Sequence, residues 1–542
     1  MTARPGLALP AILALAIVVH LVWKQPTEPY FSGDETRHVM TGVFVRDAIR
    51  DGGYRSPRAY AERYYAQYPC LGLLVWPQGF HALEGAAMLV FGPELETGRG
   101  LVLAYLLVAL AYFHSLVRRT HGATTAAVAA TLLFLSREVF VNSRAVMLEV
   151  PTLACVLAAI VHFERYLADT KRRDLIAFAV GVVAAGLHRY DAVFLAPLFL
   201  LRLAMEGRLR LIVTRPVLLA TVTILVALAP FYWLAYQTIG QQHALAASSG
   251  SNPDVVRHGW DRLTYYPLSL EFQLGLVGTL SAITGLVLSF RNGQRAKSRT
   301  YWALAIVVYA CFAALSEQET RHTIYWLPAW CVWTAETALE PLRRFGRKWW
   351  TLAVAVVVVG SVGCWTLRQV VPWVRGYADA AEYVLANTDG PGIVLFDGHF
   401  DGTFIHSLRV RDADRRLWVA RGDKLLYAVR SDPGAGYVEW TKSEREIADL
   451  LTRLAPEFLV VEEPPLKHVL PAQVMLRKVL TDRIDLFERA TELPIRNNNI
   501  EWMDGARLVV YRLRNRPAGP RTLNMPMLWG GRDLTIDLPA RR

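Results

Sequence analysis

Two adjacent carboxylates, Asp34 and Glu35, follow the first apolar run of the chain in the stretch FSGDETRH. Such a pair can act as a general base, ligate a divalent metal or cap the start of a helix. The apolar spacing over 39–48 predicts a helix that begins here, so capping is a real alternative to catalysis. Arg37 offers a fork of donors for a phosphate, and His38 could join the two carboxylates as a metal ligand.

A second acidic position lies in NSRAVMLEVPTLAC, where Arg144 and Glu149 bracket the start of an apolar run. An acid near the edge of a bilayer costs a few kcal/mol unless it is paired or functional. Glu149 is therefore a candidate catalytic residue, and a salt bridge to Arg144 is the structural alternative.

Two further stretches carry basic side chains that could bind a phosphate. HRYD joins two apolar runs so short that the chain must turn there, and it supplies His188 and Arg189. SEQETRHTIYWLP precedes another apolar run and supplies Arg321 and His322. Arginine presents a planar fork of donors to phosphate, and histidine a donor that depends on pH. A solvated turn also explains the first stretch, and an interfacial aromatic belt explains the Tyr and Trp of the second.

The elements that must position these residues are apolar runs of membrane-spanning length. The 542 residues are 53% hydrophobic and 20% charged, which is typical of a polytopic membrane protein rather than one soluble domain. The formal charge of +12 lies in short clusters between apolar runs, so no nucleic-acid partner is expected.

The five cysteines show no CxxC spacing and indicate neither a disulfide framework nor a zinc site. The first apolar run, 6–23, resembles an uncleaved signal anchor because no small-residue cleavage site follows it.

The distribution of Lys and Arg predicts sidedness, because short basic loops stay in the cytoplasm. Five basic loops fall on one side, with the N-terminus cytoplasmic, only if the segment 70–91 does not cross the bilayer. Pro77, His81 and Glu84 in that segment suit a juxtamembrane helix. The prediction is thus about eleven spans with the C-terminus outside. The outside segments then hold nearly all the candidate site residues, and they are 24–98, 138–149, 188–191, 237–273, 317–322 and everything after about 371.

The tail, residues 371–542, is richer in charge and has no run long enough to span a membrane. The helix-like stretch SEREIADLLTRL places Ile447, Leu450, Leu451 and Leu454 on one face. Alternating strands and helices predict a small extramembrane α/β domain. The predicted strands are GPGIVLFDG, RRLWVARG, EFLVVEEP and ARLVVYRL.

Each motif is weak alone, but their order along residues 1–370 resembles a known family. The order is GDETRH after the first span, then YPCLGLLVW, Arg99 at the start of the next span, RAVMLEVPT and ETRHTIYWLP. This series resembles the membrane glycosyltransferases of the GT-C class that use polyprenyl-phosphate sugars. The most similar groups are the protein O-mannosyltransferases and the aminoarabinose transferases that modify lipid A.

The resemblance implies a GT-C-like glycosyltransferase domain over 1–370. The predicted topology places its first loop, 24–98, and the α/β domain over 371–542 in the periplasm. It implies transfer of a sugar from a polyprenyl-phosphate donor to a lipid, glycan or protein acceptor at a bacterial inner membrane. The implied catalytic residues are Asp34, Glu35 and Glu149. The implied phosphate-binding residues are Arg37, His188, Arg189, Arg321 and His322. No cofactor is certain from the sequence, and Asp34, Glu35 and His38 could hold a divalent metal.

Two other functions fit the same residues. A transporter, flippase or polymerase of lipid-linked saccharides could use the outside charges to guide its substrate. Transporters tend to place functional charges near the membrane midplane, whereas here they cluster at one face, which favours surface chemistry. A periplasmic binding module held by passive helices would leave the acidic loops between spans unexplained.

Overall fold

The computed structural model describes residues 7–29, 34–249, 256–291, 293–345, 348–429, 437–466, 469–498, 500–514, 521–526 and 533–538. The α-helices are α1 (Ala8–Val22), α2 (Glu35–Asp51), α3 (Pro57–Gln67), α4 (Gly79–Phe91), α5 (Leu95–His121), α6 (Ala123–Leu135), α7 (Arg137–Asn142), α8 (Glu149–Asp169), α9 (Arg172–His188), α10 (Leu195–Met205), α11 (Arg215–Ser249), α12 (Gly259–Ser289), α13 (Arg295–Ala313), α14 (Leu327–Phe345), α15 (Lys348–Arg368), α16 (Tyr377–Ala386), α17 (Asp401–Arg411), α18 (Gly422–Leu425), α19 (Glu444–Leu454) and α20 (Pro471–Asp482). The strands are β1 (Val374–Arg375), β2 (Gly392–Asp397), β3 (Leu417–Arg421), β4 (Tyr427–Val429), β5 (Tyr437–Glu439), β6 (Phe458–Glu463), β7 (Phe487–Pro494), β8 (Arg496–Asn497), β9 (Arg507–Leu513), β10 (Arg521–Pro526) and β11 (Asp533–Leu538).

Long apolar helices dominate the region before residue 371. Within the described residues, five helices are long and apolar enough to cross a membrane, namely α5, α8, α11, α12 and α15. The helices α1, α4 and α6 are apolar but shorter. The predicted α-helical membrane protein with an α/β region at its C-terminal end is confirmed, and the count of eleven spans stays a prediction.

Close packing of the apolar helices depends on small residues at their contacts. A Cβ on Gly181 of α9 would lie 2.9 Å from the backbone nitrogen of Ala159 on α8. A Cβ on Gly285 of α12 would overlap the backbone carbonyl of Trp333 on α14. Such contacts are typical of membrane helices, whose association relies on close van der Waals packing.

The C-terminal region is built on a five-stranded sheet in the order β3-β2-β6-β9-β7. β2 pairs in parallel with β3 and β6, and β9 pairs antiparallel with β6 and β7. All four strands predicted from the sequence are present. The predicted amphipathic helix is α19, which buries Ile447, Leu451 and Leu454. The Ser443 hydroxyl accepts a hydrogen bond from the Glu446 N–H and caps that helix.

The chain divides into two compact units. One unit contains residues 1–24, 74–80 and 99–371, and the other contains 25–73, 81–98 and 372–542. The helices of the first loop therefore share a hydrophobic core with the C-terminal sheet, since Met40, Tyr65 and Tyr68 belong to the same buried cluster as Leu395 and Phe404. We call these the membrane unit and the α/β unit.

Glu462, at the end of β6, makes the stability of the α/β unit depend on pH. Its carboxyl group accepts hydrogen bonds from the N–H groups of His399 (2.6 Å) and Phe400 (2.9 Å) and from the Tyr377 hydroxyl (2.8 Å). Burial nevertheless raises its pKa from 4.5 to about 7. The pKa of Glu462 in the folded protein lies above its value in the unfolded chain. The contribution of this carboxyl group to folding stability is therefore full below the unfolded pKa and is lost as the pH rises through the folded pKa.

We expect hydrogen exchange in residues 458–463 of the full chain, corrected for intrinsic rates, to report lower local stability at pH ~8 than at pH ~5. Glu462→Gln removes the titrating group and should reduce this difference. Glu463→Gln on the same strand serves as the matched control and should keep it. Equal pH dependence in the wild type and Glu462→Gln would contradict this prediction.

Candidate active site

The carboxylate pair of the first loop lies at the start of α2. Asp34 occupies the N-cap position, but its backbone is already helical (φ −96°, ψ −65°) and its side chain makes no capping hydrogen bond. Glu35 is fully buried, and Asp34 is half-buried. The capping alternative therefore lacks the side-chain hydrogen bond that would define it, and the catalytic role of Asp34 stays a prediction.

The first turns of α2 contact α4 through titratable side chains. Nδ1 of His38 lies 3.0 Å from Nε2 of His81, and the two rings stack with centroids 5.3 Å apart. Glu84, one turn further along α4, is fully buried and lies so close to Gly42 that a Cβ there would overlap its carboxyl group. We call Asp34, Glu35, His38, His81 and Glu84 the first-loop cluster.

Glu84 is the most unusual member of this cluster. Neither carboxyl oxygen has a hydrogen-bond partner in the described part of the chain. Burial, and to a smaller degree the nearby charge of Glu35, raises the pKa of Glu84 well above its ordinary value. Burial therefore favours the protonated, neutral form of this carboxyl group one turn from His81, an arrangement suited to proton transfer.

The sequence predicts Asp34, Glu35 and His38 as possible ligands of a divalent metal. Across the residues that the structure describes, no three His, Cys, Asp or Glu side chains are placed to hold a metal ion. A divalent metal at Asp34, Glu35 and His38 therefore stays a prediction. Arg37 makes no ion pair among the described residues, so its guanidinium is available to a phosphate.

A second group of charged residues lies in the membrane unit at the start of α8. Nη1 of Arg189 contacts Oε1 of Glu149 at 2.7 Å, and its Nε contacts Oδ2 of Asp191 at 2.9 Å. Arg321 reaches the same oxygen of Glu149 at 3.7 Å and pairs with Oε2 of Glu319 at 2.6 Å. We call these five residues the arginine cluster.

Glu149 is paired, but not with the residue that its sequence neighbourhood suggested. Arg144 donates a hydrogen bond to the Phe140 carbonyl at 2.5 Å, and its guanidinium lies over the Phe140 ring. The salt bridge from Glu149 runs to Arg189, so the alternative based on Arg144 is wrong. Oε2 of Glu149 has no hydrogen-bond partner within the described residues, although the residue is only 1% exposed. This oxygen can accept a bond from a substrate hydroxyl.

The two histidines predicted to bind phosphate are engaged elsewhere. Nδ1 of His188 donates to the Ala184 carbonyl at 2.6 Å, so its Nε2 accepts from the Tyr105 hydroxyl at 2.8 Å. His322 accepts a backbone bond from Glu319 and stacks on Phe312. Both rings therefore position the chain beside Arg189 and Arg321, and the two arginines remain as the phosphate-binding candidates of this unit.

The sequence also contained signals that were not used for the site. His81 and Glu84 are polar residues inside an apolar helix, a pattern that marks function as readily as a helix beside the membrane. Glu138, 3% exposed, accepts a hydrogen bond from the Thr320 hydroxyl at 2.7 Å and pairs with Arg137 at 3.0 Å. Tyr325, with Trp326, is buried and belongs to the protein core rather than to an interfacial aromatic belt.

Comparisons with known proteins agree with this architecture. Residues 77–234 match the family model described as dolichyl-phosphate-mannose-protein mannosyltransferase. No protein of curated function matches the chain in sequence.

Solved structures match over nearly the whole chain. ArnT from Cupriavidus metallidurans bound to undecaprenyl phosphate has a TM-score of 0.57 at 13% identity, covering 94% of this chain and 98% of ArnT. ArnT in the apo state gives 0.57 at 14% identity, with 92% and 97% covered. The Archaeoglobus fulgidus oligosaccharyltransferase complex with Zn and sulfate gives 0.54 at 12% identity, with 84% and 68% covered. The chain thus has the fold of these GT-C glycosyltransferases, as its motif order predicted.

Proposed function

We propose that this chain, which has the GT-C fold, is an integral membrane glycosyltransferase that moves a sugar from a polyprenyl-phosphate donor to an acceptor. The observation that carries the proposal is the Asp34–Glu35 pair at the start of α2, with Glu35 buried, Asp34 half-buried and no capping bond from Asp34, in a chain of this fold. ArnT binds undecaprenyl phosphate, and the archaeal oligosaccharyltransferase AglB has been solved with a dolichol-phosphate and a peptide. These ligands support a lipid-linked donor here.

In the proposed reaction the protein takes little part in the making and breaking of covalent bonds. The acceptor oxygen attacks the anomeric carbon, the bond from that carbon to the phosphate oxygen breaks, and polyprenyl phosphate leaves with the electron pair. Asp34 takes the acceptor proton, because a half-buried carboxylate can act as the general base. Direct displacement inverts the anomeric centre.

The arginine cluster supplies the second requirement, which is stabilisation of the leaving phosphate. Arg189 and Arg321 present guanidinium groups whose positions are fixed by Glu149, Asp191 and Glu319. Donors that are already oriented stabilise developing charge without reorganisation. Glu149 is accordingly a positioning residue for the arginines, and its Oε2, which has no hydrogen-bond partner in the described part of the chain, can accept a bond from the substrate.

The predicted topology indicates the membrane face at which the reaction takes place, and the acceptor must reach that face. The distribution of basic loops supports an outside position for the first-loop cluster and for the arginine cluster, in the periplasm of a bacterial inner membrane. The acceptor is a lipid, glycan or protein that reaches this face. The same topology places the N-terminus in the cytoplasm and the α/β region in the periplasm.

Incubation with a panel of donors tests the proposal. The purified chain in lipid bilayers is mixed with different polyprenyl-phosphate monosaccharides, and free polyprenyl phosphate is measured. We expect one donor to be consumed far faster than the others. If none is consumed with lipid, glycan and peptide acceptors present, the reaction is not glycosyl transfer, and transport of a lipid-linked saccharide becomes the better explanation.

Arg189→Lys is expected to lower donor turnover about 10- to 100-fold and to raise the KM for the donor. The reason is geometric, because a lysine ammonium cannot reproduce the fork that joins Glu149 and Asp191. Initial rates over a range of donor concentrations provide the measurement. Arg291→Lys is the matched control, since Arg291 forms a half-exposed pair with Glu340 and should tolerate the change. Unchanged kinetics in Arg189→Lys would remove Arg189 from the phosphate site.

A further inference from the structure

Two cavities flank α9 in the membrane unit. The larger, about 890 Å³, lies between α9 and α11. The smaller, about 510 Å³, lies between α9 and the pair α5 and α8. Ile176, Val180 and Ala184 line both cavities and form a ridge between them. Ile176 and Val180 are 54% and 63% exposed, so the ridge is an open apolar surface.

The dimensions of the larger cavity suit a lipid chain. Its lining runs along α9 from Arg172 to Leu187 and along α11 from Arg215 to Ala227. At 1.5 Å per helical residue these stretches are about 20 Å long, more than the ~15 Å of one bilayer leaflet. The positions between the ends are apolar or small on both helices, so the wall offers contact to an acyl chain and few polar groups.

Charge is confined to one end of both cavities. Arg172 and Arg215 line the larger cavity, and Arg173 lines the smaller. Neither Arg172 nor Arg215 makes an ion pair with any residue that the structure describes, and Arg173 reaches only its neighbour Asp174, at 3.8 Å. His162, which also lines the smaller cavity, contacts Asp174 at 3.2 Å. Among the described residues, Arg172 and Arg215 therefore have no acidic partner at the charged end of the cavities, and Arg173 has only a weak one.

We propose that this surface binds one two-chain anionic phospholipid from the leaflet that faces the basic loops. Its phosphate lies at Arg172 and Arg215, and its two acyl chains occupy the two cavities on either side of the ridge. The two cavities can hold the two acyl chains of one phospholipid. The arginines, which have no ion pair in the described part of the chain, can bind its negatively charged headgroup. This site goes beyond the proposed transferase and does not depend on it.

The other occupant to consider is the polyprenyl chain of the donor. Its phosphate would lie at Arg189, just beyond the opposite end of α9 from Arg172. Such a chain could enter the larger cavity beside Leu187, but it would leave Arg172 and Arg215 without a counter-charge. The charged mouth therefore favours the phospholipid.

Native mass spectrometry of the full chain in detergent tests the site. The probes are phosphatidylglycerol, phosphatidylcholine with the same acyl chains, and undecaprenyl phosphate. We expect phosphatidylglycerol to bind about 10- to 30-fold more tightly than phosphatidylcholine, because two arginines contribute about 1 kcal/mol each toward an anionic headgroup. Phosphatidylglycerol should remain bound when undecaprenyl phosphate is added.

Two variants separate a built site from general surface charge. The double variant Arg172→Ala/Arg215→Ala should lose the preference for phosphatidylglycerol, whereas Arg118→Ala/Arg119→Ala, which removes the same charge from exposed positions in the last turn of α5, should keep it. Ala220→Phe narrows the larger cavity without changing charge and should weaken binding of both phospholipids. Equal binding of the two phospholipids to the wild type, equal losses in the two double variants, or displacement by undecaprenyl phosphate would each overturn the proposal.

Discussion

Asp34→Asn is expected to slow the release of polyprenyl phosphate by about 10²- to 10⁴-fold, the usual contribution of a general base. The substitution keeps the size and hydrogen-bonding shape of the side chain but removes its ability to accept a proton. Because Asp34 makes no capping hydrogen bond, the loss should not come from fraying of α2. Thermal unfolding of the variant should match that of the wild type.

The measurement is single-turnover donor cleavage in lipid, with the acceptor saturating. Glu94→Gln is the matched control, since Glu94 is an exposed acid in the same unit. Glu35→Gln is a poorer test because Glu35 is fully buried, and a loss of activity there could reflect misfolding. If Asp34→Asn retains wild-type turnover, the acceptor proton goes to another group and Asp34 is not the general base.

Local patterns in the sequence predicted the elements well. The run GIVLFD reads as a strand buried on both faces because every residue is apolar up to the final Asp397, and β2 is buried throughout. The helix α19 followed from the period of Ile447, Leu451 and Leu454. Neither of these two predictions needs information from elsewhere in the chain.

Pairing between distant residues could not be predicted in the same way. Glu149 had a basic neighbour in sequence, Arg144, yet its partner is Arg189, forty positions away. The turn after α7 places the Arg144 guanidinium over the Phe140 ring instead. Similarly, His188 has the residue type of a phosphate ligand, but α9 aims its two nitrogens at Ala184 and Tyr105. Residue type gave the chemistry, and only the fold determines which partner each side chain meets.

The shared core of the α/β unit is the clearest example of such long-range dependence. α2, which begins directly after Asp34, packs against α17 of the C-terminal region. At this contact Arg409 of α17 forms an ion pair with Asp47 of α2, and both side chains are 4% exposed. The Tyr64 hydroxyl donates to the same carboxylate at 2.8 Å. The C-terminal region therefore holds the helix that carries the proposed base.

Arg409→Met is expected to destabilise the α/β unit by about 3 kcal/mol, because it leaves the buried Asp47 carboxylate without its main partner. The figure lies at the lower end of the usual 3–5 kcal/mol since Arg46 still contacts Asp47 at 3.0 Å. Donor turnover should fall with stability, as α2 is no longer held in place. Thermal unfolding measures the loss of stability, hydrogen exchange in residues 35–51 measures the loosening of α2, and release of polyprenyl phosphate measures turnover.

Two further variants distinguish the ion pair from loss of side-chain bulk. Arg411→Met, on the same helix, breaks an exposed pair with Glu382 and should cost less than about 1 kcal/mol. Asp47→Asn combined with Arg409→Met removes the stranded charge and should recover much of the loss in both stability and turnover. Recovery of stability without turnover would mean that the charge pair sets the position of α2 as well as its folding energy. A double variant as damaged as Arg409→Met alone would instead assign the effect to packing of the arginine stem.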